Sequence, residues 1–278
     1  MIHLLFCGND GVFDGVLTCT LSALMRTETD EPFCIHIFTM DVSHLDERYV
    51  PITSEKTALL ERAVKRYNSQ SCVTVHDVTP LYMKYFSGCP NEGAYCSPYT
   101  LIRLFADLVP GMPDKLLYLD ADIMFNRDIR LLWDTPLEGY EYAAARDHYG
   151  KYLINPNYIN AGVLLFNMEQ ARKTGLFKKA RWWIRKKKLT FADQSALIRS
   201  TTKRKVLPQR FNDQKFLHKH TVIRHFSKRL FWLPYPHTDN IKQWHIEKVH
   251  KVFGYRQFDD IYREYRCITK SLTSKEKL

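Results

Sequence analysis

Tyr118-Leu119-Asp120-Ala121-Asp122 sets two carboxylates one residue apart behind an apolar run. If the chain bends there, both can turn toward one point, and oxygen pairs of that kind suit a hard divalent cation. Without a cation the two charges repel. The alternative is a pair of solvated aspartates capping the turn that follows a strand. Asn160-Ala161-Gly162 places an amide at the mouth of a second apolar run, and Ala192-Asp193-Gln194 sets a carboxylate beside an amide. His225, after Thr221-Val222-Ile223-Arg224, is either a ligand or a satisfied core imidazole.

The elements that must position these groups follow from hydrophobic periodicity. Ile2 to Cys7 reads as a buried strand that stops at the loop cluster Gly8-Asn9-Asp10-Gly11. A helix with Val16, Leu17, Leu21 and Leu24 on one face comes next. Then follow a strand over Phe33 to Met40, a helix over Ser54 to Tyr67 and a strand over Cys72 to Val75. This β-α-β-α-β order predicts a parallel sheet with right-handed crossovers. One helix is expected from about Pro98 to Leu108, then a strand over Lys115 to Leu119 ending in Asp120-Ala121-Asp122. Further strands are expected over Tyr142 to Arg146 and Gly162 to Phe166, with helices over Phe177 to Lys187 and Phe191 to Ser200. Beyond Pro208 the sequence shows short patterns only. Ligands of open α/β sheets collect at the carboxyl ends of strands, where both Gly8-Asn9-Asp10 and Asp120-Ala121-Asp122 stand.

At 278 residues the chain has room for one large domain with an appendage, or two small ones. With 45% hydrophobic and 26% charged residues it is neither disordered nor fibrous. No apolar run approaches the roughly 18 residues of a membrane span, and Met1 to Cys7 lacks the marks of a secretory leader. Cys7, Cys19, Cys34, Cys72, Cys89, Cys96 and Cys267 are odd in number and hold no C-x-x-C pair. That spacing argues against a disulfide framework and a thiolate zinc site, and fits a reducing cytoplasm. The net charge of +11 is uneven: residues 1–168 carry 13 Lys and Arg against 21 Asp and Glu, whereas residues 169–278 carry 28 against 9. A basic part of that size attracts phosphates of some kind.

Taken together and in order, several of these pieces resemble glycosyltransferase family 8, over about residues 2 to 232. They are FCGND at Phe6 to Asp10, Arg103, KLLYLDADIMF at Lys115 to Phe125, LWDTPL at Leu132 to Leu137, NAGVLLFNM at Asn160 to Met168, ADQSAL at Ala192 to Leu197, and His225-Phe226. The resemblance implies an α/β GT-A fold with a mainly parallel central sheet, and a retaining transfer of glucose or galactose from a UDP-hexose with Mn2+ or Mg2+. It implies that Asp120, Asp122 and His225 hold the metal, with Ala121 also at the donor. Cys7 and Asn9 would lie at the uridine and Arg103 near the donor. Asp147, Asn160 and Asp193 would surround the donor sugar. Gln194 would face the anomeric carbon, and since an amide is a poor nucleophile, same-face attack is expected, with Asp193 as reserve nucleophile. The chain departs from the family pattern H-Y/F-x-G-x-x-K-P-W after His225, so Lys228 or Arg229 is expected at the diphosphate. No aromatic follows Asn9 within Asp10-Gly11-Val12, which leaves Phe13 or another ring to stack on uracil. A catalytic domain over 1–215 and a basic extension over 216–278 are expected. The expected acceptor is a lipopolysaccharide or other cell-envelope glycan, lipid-linked or free. The basic part either docks peripherally on an anionic inner membrane face or remains a solvated surface of a cytoplasmic enzyme.

Two rival classes are weighed against this. An aspartate-dependent phosphotransferase also uses D-x-D after a strand, but near the N-terminus and with Thr or Val two residues after the second Asp, whereas Ile123-Met124 follow here. A nucleic-acid binder could use Arg181-Trp182-Trp183-Ile184-Arg185-Lys186-Lys187-Lys188, whose cations interleave with aromatics. The same stretch also reads as an amphipathic helix with a solvated basic face, and no nucleic-acid partner is expected.

Overall fold

The computed structural model describes residues 1–93, 97–231 and 235–273; Cys96 and Trp232 lie outside the described residues. Strands β1 (Ile2–Cys7), β2 (Phe33–Thr39), β3 (Cys72–Asp77), β4 (Lys115–Leu119), β6 (Tyr142–Ala145), β7 (Val163–Asn167) and β8 (Arg204–Leu207) form one sheet in the order β3-β2-β1-β4-β7-β6-β8. The first four are parallel, β7 runs antiparallel to both β4 and β6, and β8 is parallel to β6. A separate two-stranded ladder joins β5 (Ile123–Phe125) to β9 (Ile223–His225).

Alternation along β1 decides which layer covers which face. Ile2, Leu4 and Phe6 point into a core shared with helices α1 (Phe13–Arg26) and α2 (Ser54–Tyr67). Leu5 points into a second core under α3 (Thr79–Tyr85). Beyond the short helices α4 (Arg130–Trp133) and α5 (Gly150–Leu153), that second core continues under α6 (Met168–Thr174), α7 (Leu176–Lys186) and α8 (Ala192–Ser200). The sheet is thus sandwiched between two helical layers.

Two expectations change. The stretch expected as one helix from Pro98 to Leu108 is instead two 3-10 turns, Pro98–Thr100 and Ile102–Phe105. Every residue from Leu101 to Ala106 is buried, so no solvent face exists to support an amphipathic helix, and Arg103 is turned inward. Beyond Pro208, where only short patterns are read, a 15-residue helix runs over Asp259–Thr273. Its Ile261, Tyr262 and Ile268 enter the first core. Arg26 at the end of α1 grips Asp260 with two bonds of 2.7 and 2.8 Å. Among the described residues no helix is long and apolar enough to cross a membrane.

Candidate active site

The end of β4 is fixed by backbone before any side chain acts. The Asp120 N–H donates to the Gly162 carbonyl at 2.8 Å, and the Phe226 N–H donates to the Asp122 carbonyl at 2.7 Å. These two bonds tie the Asp-Ala-Asp bend to the mouth of β7 and to the chain leaving β9. The Ala121 carbonyl accepts from buried Gln243 at 2.6 Å. Gly15 of α1 packs against the same peptide, since a Cβ there would fall 2.4 Å from the Ala121 oxygen.

Asp120 has one oxygen occupied and one directed inward. Its Oδ1 accepts from the Tyr118 hydroxyl at 2.6 Å and from Arg103 at 3.1 Å. Arg103 is 2% exposed, lies 4.0 Å over the Tyr118 ring, and reaches the Thr100 carbonyl, the Ala161 carbonyl at 2.6 Å and Asp193 Oδ2 at 3.2 Å. One buried cation therefore positions two carboxylates. That is why the 98–108 segment gives up regular helix.

His225 arrives because β9 pairs with β5 in the register Ile123↔His225. Its Nε2 lies 3.0 Å from Asp122 Oδ1 and 3.8 Å from Asp120 Oδ2. Its Nδ1 lies 3.0 Å from the Asn212 side-chain oxygen. The tautomer that satisfies Asn212 puts the proton on Nδ1 and leaves the Nε2 lone pair facing the carboxylates. Asn212 in turn donates to Asn160 at 2.8 Å, and Asn160 donates to Asp147 at 2.9 Å. The remaining Asp147 oxygen accepts from the Tyr149 and Gly150 N–H groups at the start of α5.

The ligand atoms of Asp120, Asp122 and His225 all lie within 4.8 Å of one another. Two carboxylates and an imidazole with its lone pair directed inward suit Mn2+ or Mg2+. Gly162 leaves the space they converge on, because a Cβ there would sit 2.4 Å from His225 Cε1 and 2.8 Å from Asp120 Oδ2. The Lys242 ammonium pairs with Asp122 Oδ2. Burial raises the Asp122 carboxyl, but Lys242 and His225 outweigh it and hold that group well below the usual carboxylate range.

The profile of glycosyl transferase family 8 matches residues 3–229. The chain belongs to that family. This family 8 chain superposes on the galactosyltransferase LgtC, solved with donor and acceptor sugar analogues, at a TM-score of 0.68 and 19% identity, over 97% of this chain and 96% of that one. The Streptococcus pneumoniae glycosyltransferase GlyE superposes at 0.63 and 18%, over 99% of this chain and 65% of that one. These likenesses are of fold, and the fold is GT-A. The S. pneumoniae glycosyltransferase GlyA is 39% identical over 83 residues, which are 29% of this chain and 12% of that protein. The family 8 chain thus spans a small part of this curated relative's length.

Of the other expected positions, Cys7, Asp193 and Gln194 lie beside this centre. Cys7 ends β1 near Arg103, Asp120 and Asp193, and burial pushes its thiol far up. Asn9, in the following loop, donates to the Arg48 carbonyl at 2.8 Å. Gln194 and Asp193 stand in the first turn of α8, behind Ala192 at a φ of 22°, a strained backbone value for a residue with a Cβ. The Gln194 side-chain oxygen accepts from the Ala161 N–H at 3.0 Å, which fixes the amide at the site. Lys228 is exposed between β9 and the strand Arg229–Phe231, and the amine seated on the Asp-Ala-Asp bend is that of Lys242. Lys242, Gln243 and Asn212 are absent from the sequence reading. The available signal was Lys242-Gln243-Trp244, a K-x-W displaced downstream from His225. The basic run Arg181 to Lys188 begins as part of α7, with Arg181 buried against Asp107 and Trp182 exposed.

Asp193 permits a pH prediction. Burial raises its carboxyl to about 6, with Arg103 opposing the rise. In the unfolded chain the group ionises near its ordinary value of about 3.9. The folded state therefore favours the proton, and stability is lost as pH rises from about 4 to 6 and is level above. A two-unit shift corresponds to roughly 3 kcal/mol. Denaturant melts across pH 3.5 to 7.5 should show Asp193→Asn lacking that component relative to wild type. Parallel curves for the two proteins would refute it.

Proposed function

We propose that the protein is a retaining hexosyltransferase that moves glucose or galactose from a UDP-sugar to a hydroxyl of a cell-envelope glycan. The observation that carries this reading is the convergence of Asp120, Asp122, His225 and Lys242 beside the Asp193-Gln194 turn. Asp120, Asp122 and His225 would hold Mn2+ or Mg2+, whose chemistry here is Lewis-acid stabilisation of the departing diphosphate. The Lys242 ammonium adds a second positive charge at the same place, where negative charge develops as the glycosidic bond to UDP breaks. Arg103, assigned to the donor, also keeps Asp120 and Asp193 in place.

Gln194, fixed by the Ala161 N–H, offers a neutral amide and not a nucleophile, which favours attack by the acceptor on the face the diphosphate leaves. Asp193 is turned toward Arg103, consistent with a reserve role only. Cys7 and Asn9 are assigned to the uridine, and Asp147 and Asn160 to the sugar; Phe13 is buried in the first core and offers no face to uracil, which leaves the stacking to another ring.

A panel of UDP-glucose, UDP-galactose, UDP-N-acetylglucosamine and GDP-mannose tests the reading. Slow hydrolysis of one UDP-hexose that requires Mn2+ or Mg2+ and yields the α-sugar supports it. Hydrolysis of GDP-mannose alone, or an inverted product by NMR, overturns it. Presenting the acceptor on anionic against neutral vesicles in the same assay tests whether the basic part serves a membrane-bound acceptor from the cytoplasmic side. Salt-sensitive stimulation by the anionic vesicles alone is the expected result.

A further inference from the structure

A second cluster of metal-ligating side chains stands at the other end of β1. His3 and Cys7 are four residues apart on that strand, a separation of about 13 Å at roughly 3.3 Å per residue, so the cluster is distinct from the donor site. The sheet register places His3 beside Cys34 and Cys34 beside Cys72. Strand alternation puts His36 on the same face, two residues along from Cys34. His3 Nδ1 meets His36 Nε2 at 3.2 Å, and the two sulfurs approach to 2.9 Å. The ligand atoms of His3, Cys34 and His36 all lie within 4.8 Å of one another. His36 and Cys34 are buried, whereas His3 and Cys72 are half-buried, so the group is anchored from below and open at its rim.

We propose that His3, Cys34 and His36 form a second cation site for a thiophilic d10 metal of the Zn2+ class, with Cys72 of the edge strand β3, whose sulfur touches that of Cys34, turning in as the fourth ligand and so clamping β1, β2 and β3. Two sulfurs and two imidazole nitrogens are a tetrahedral zinc set, and bonds of about 2.0–2.3 Å bring such ligand atoms within about 4 Å of one another. The donor chemistry separates the two sites: carboxylates at Asp120 and Asp122 suit hard Mn2+ or Mg2+, and thiolates do not. On binding, Cys34 and Cys72 each release a proton to solvent and the metal gains two thiolate bonds. The missing C-x-x-C spacing argued against a thiolate zinc site, but that spacing describes ligands on one loop. Here the sheet register assembles them from three strands.

The full chain, stripped with a chelator and reduced, is titrated with Zn2+ and, in parallel, with Co2+. One equivalent of Zn2+ should remain after gel filtration in excess Mg2+, in wild type and in Asp122→Asn alike. Co2+ should give a thiolate-to-cobalt charge-transfer band, which a site without sulfur cannot produce. Cys34→Ser should lose both the band and the retained zinc, with circular dichroism and donor hydrolysis unchanged. If Cys34→Ser does not fold, His3→Ala, at the half-buried rim, carries the test through the same loss of retained zinc. No thiolate band in wild type, a band that survives Cys34→Ser with Cys72→Ser, or a Cys34–Cys72 disulfide with no zinc uptake overturns the proposal.

Discussion

Asp122→Asn is expected to lower metal-dependent donor turnover by on the order of 100-fold or more while the chain stays folded. One Asp122 oxygen faces His225 Nε2 at 3.0 Å and the other carries Lys242. An amide there puts an NH2 group where a cation or an ammonium must sit. The backbone bond from Phe226 N–H to the Asp122 carbonyl does not depend on the side chain, so the bend itself persists. Asp120→Asn should act in the same direction, since Asp120 Oδ2 is the oxygen turned toward His225. Turnover of the UDP-hexose in Mn2+, read beside a thermal melt, checks both. Near wild-type turnover in either folded variant would remove the carboxylate pair from the chemistry.

How much of this centre could be read in advance depended on how local each part is. β1, β4 and β7 are apolar runs that end in polar residues, and a strand that ends in Asn9, Asp120 or opens at Asn160 points to a site from its own sequence. The Asp193-Gln194 pair was legible because it lies in the first turn of a helix. Asn212 was not, and Lys242 and Gln243 carry only the displaced K-x-W, because each reaches the centre through a chain return whose path no local pattern encodes. Lys242 meets Asp122 across 120 residues and Gln243 meets Ala121 across 122. Arg103 lies between these cases. Its place in the family pattern was visible, but the pattern around it suggested a regular helix. The need to bury a guanidinium among Asp120, Asp193 and two carbonyls replaced that helix with 3-10 turns. The helix Asp259–Thr273 was missed although Ile261, Tyr262, Tyr265 and Ile268 follow helical spacing. Arg263, Glu264 and Arg266, dispersed among them, conceal the stripe that packs on α1.

Gly162→Ala is expected to weaken Mn2+ binding in the presence of UDP by on the order of 100-fold, through sterics alone. The backbone at Gly162 is one an alanine can adopt, because its φ lies outside the left-handed region. The Gly162 N–H to Asn160 at 2.9 Å and its carbonyl to the Asp120 N–H at 2.8 Å can both remain. The added methyl, however, would lie 2.4 Å from His225 Cε1 and 2.8 Å from Asp120 Oδ2, so one of the two must move. Neither moves freely. His225 is 3% exposed and tied to Asn212, and Asp120 is tied to Tyr118 and Arg103. Overpacking of this kind costs about 1–3 kcal/mol of stability, measurable as a lowered melt. Combining Gly162→Ala with His225→Ala should recover much of that stability, because the methyl then fills space the ring has left, while metal affinity stays lost. Calorimetry of Mn2+ binding with UDP present, run beside the melts, separates the two effects. Unchanged Mn2+ affinity in Gly162→Ala would mean that His225 and Asp120 do not converge on a shared cation.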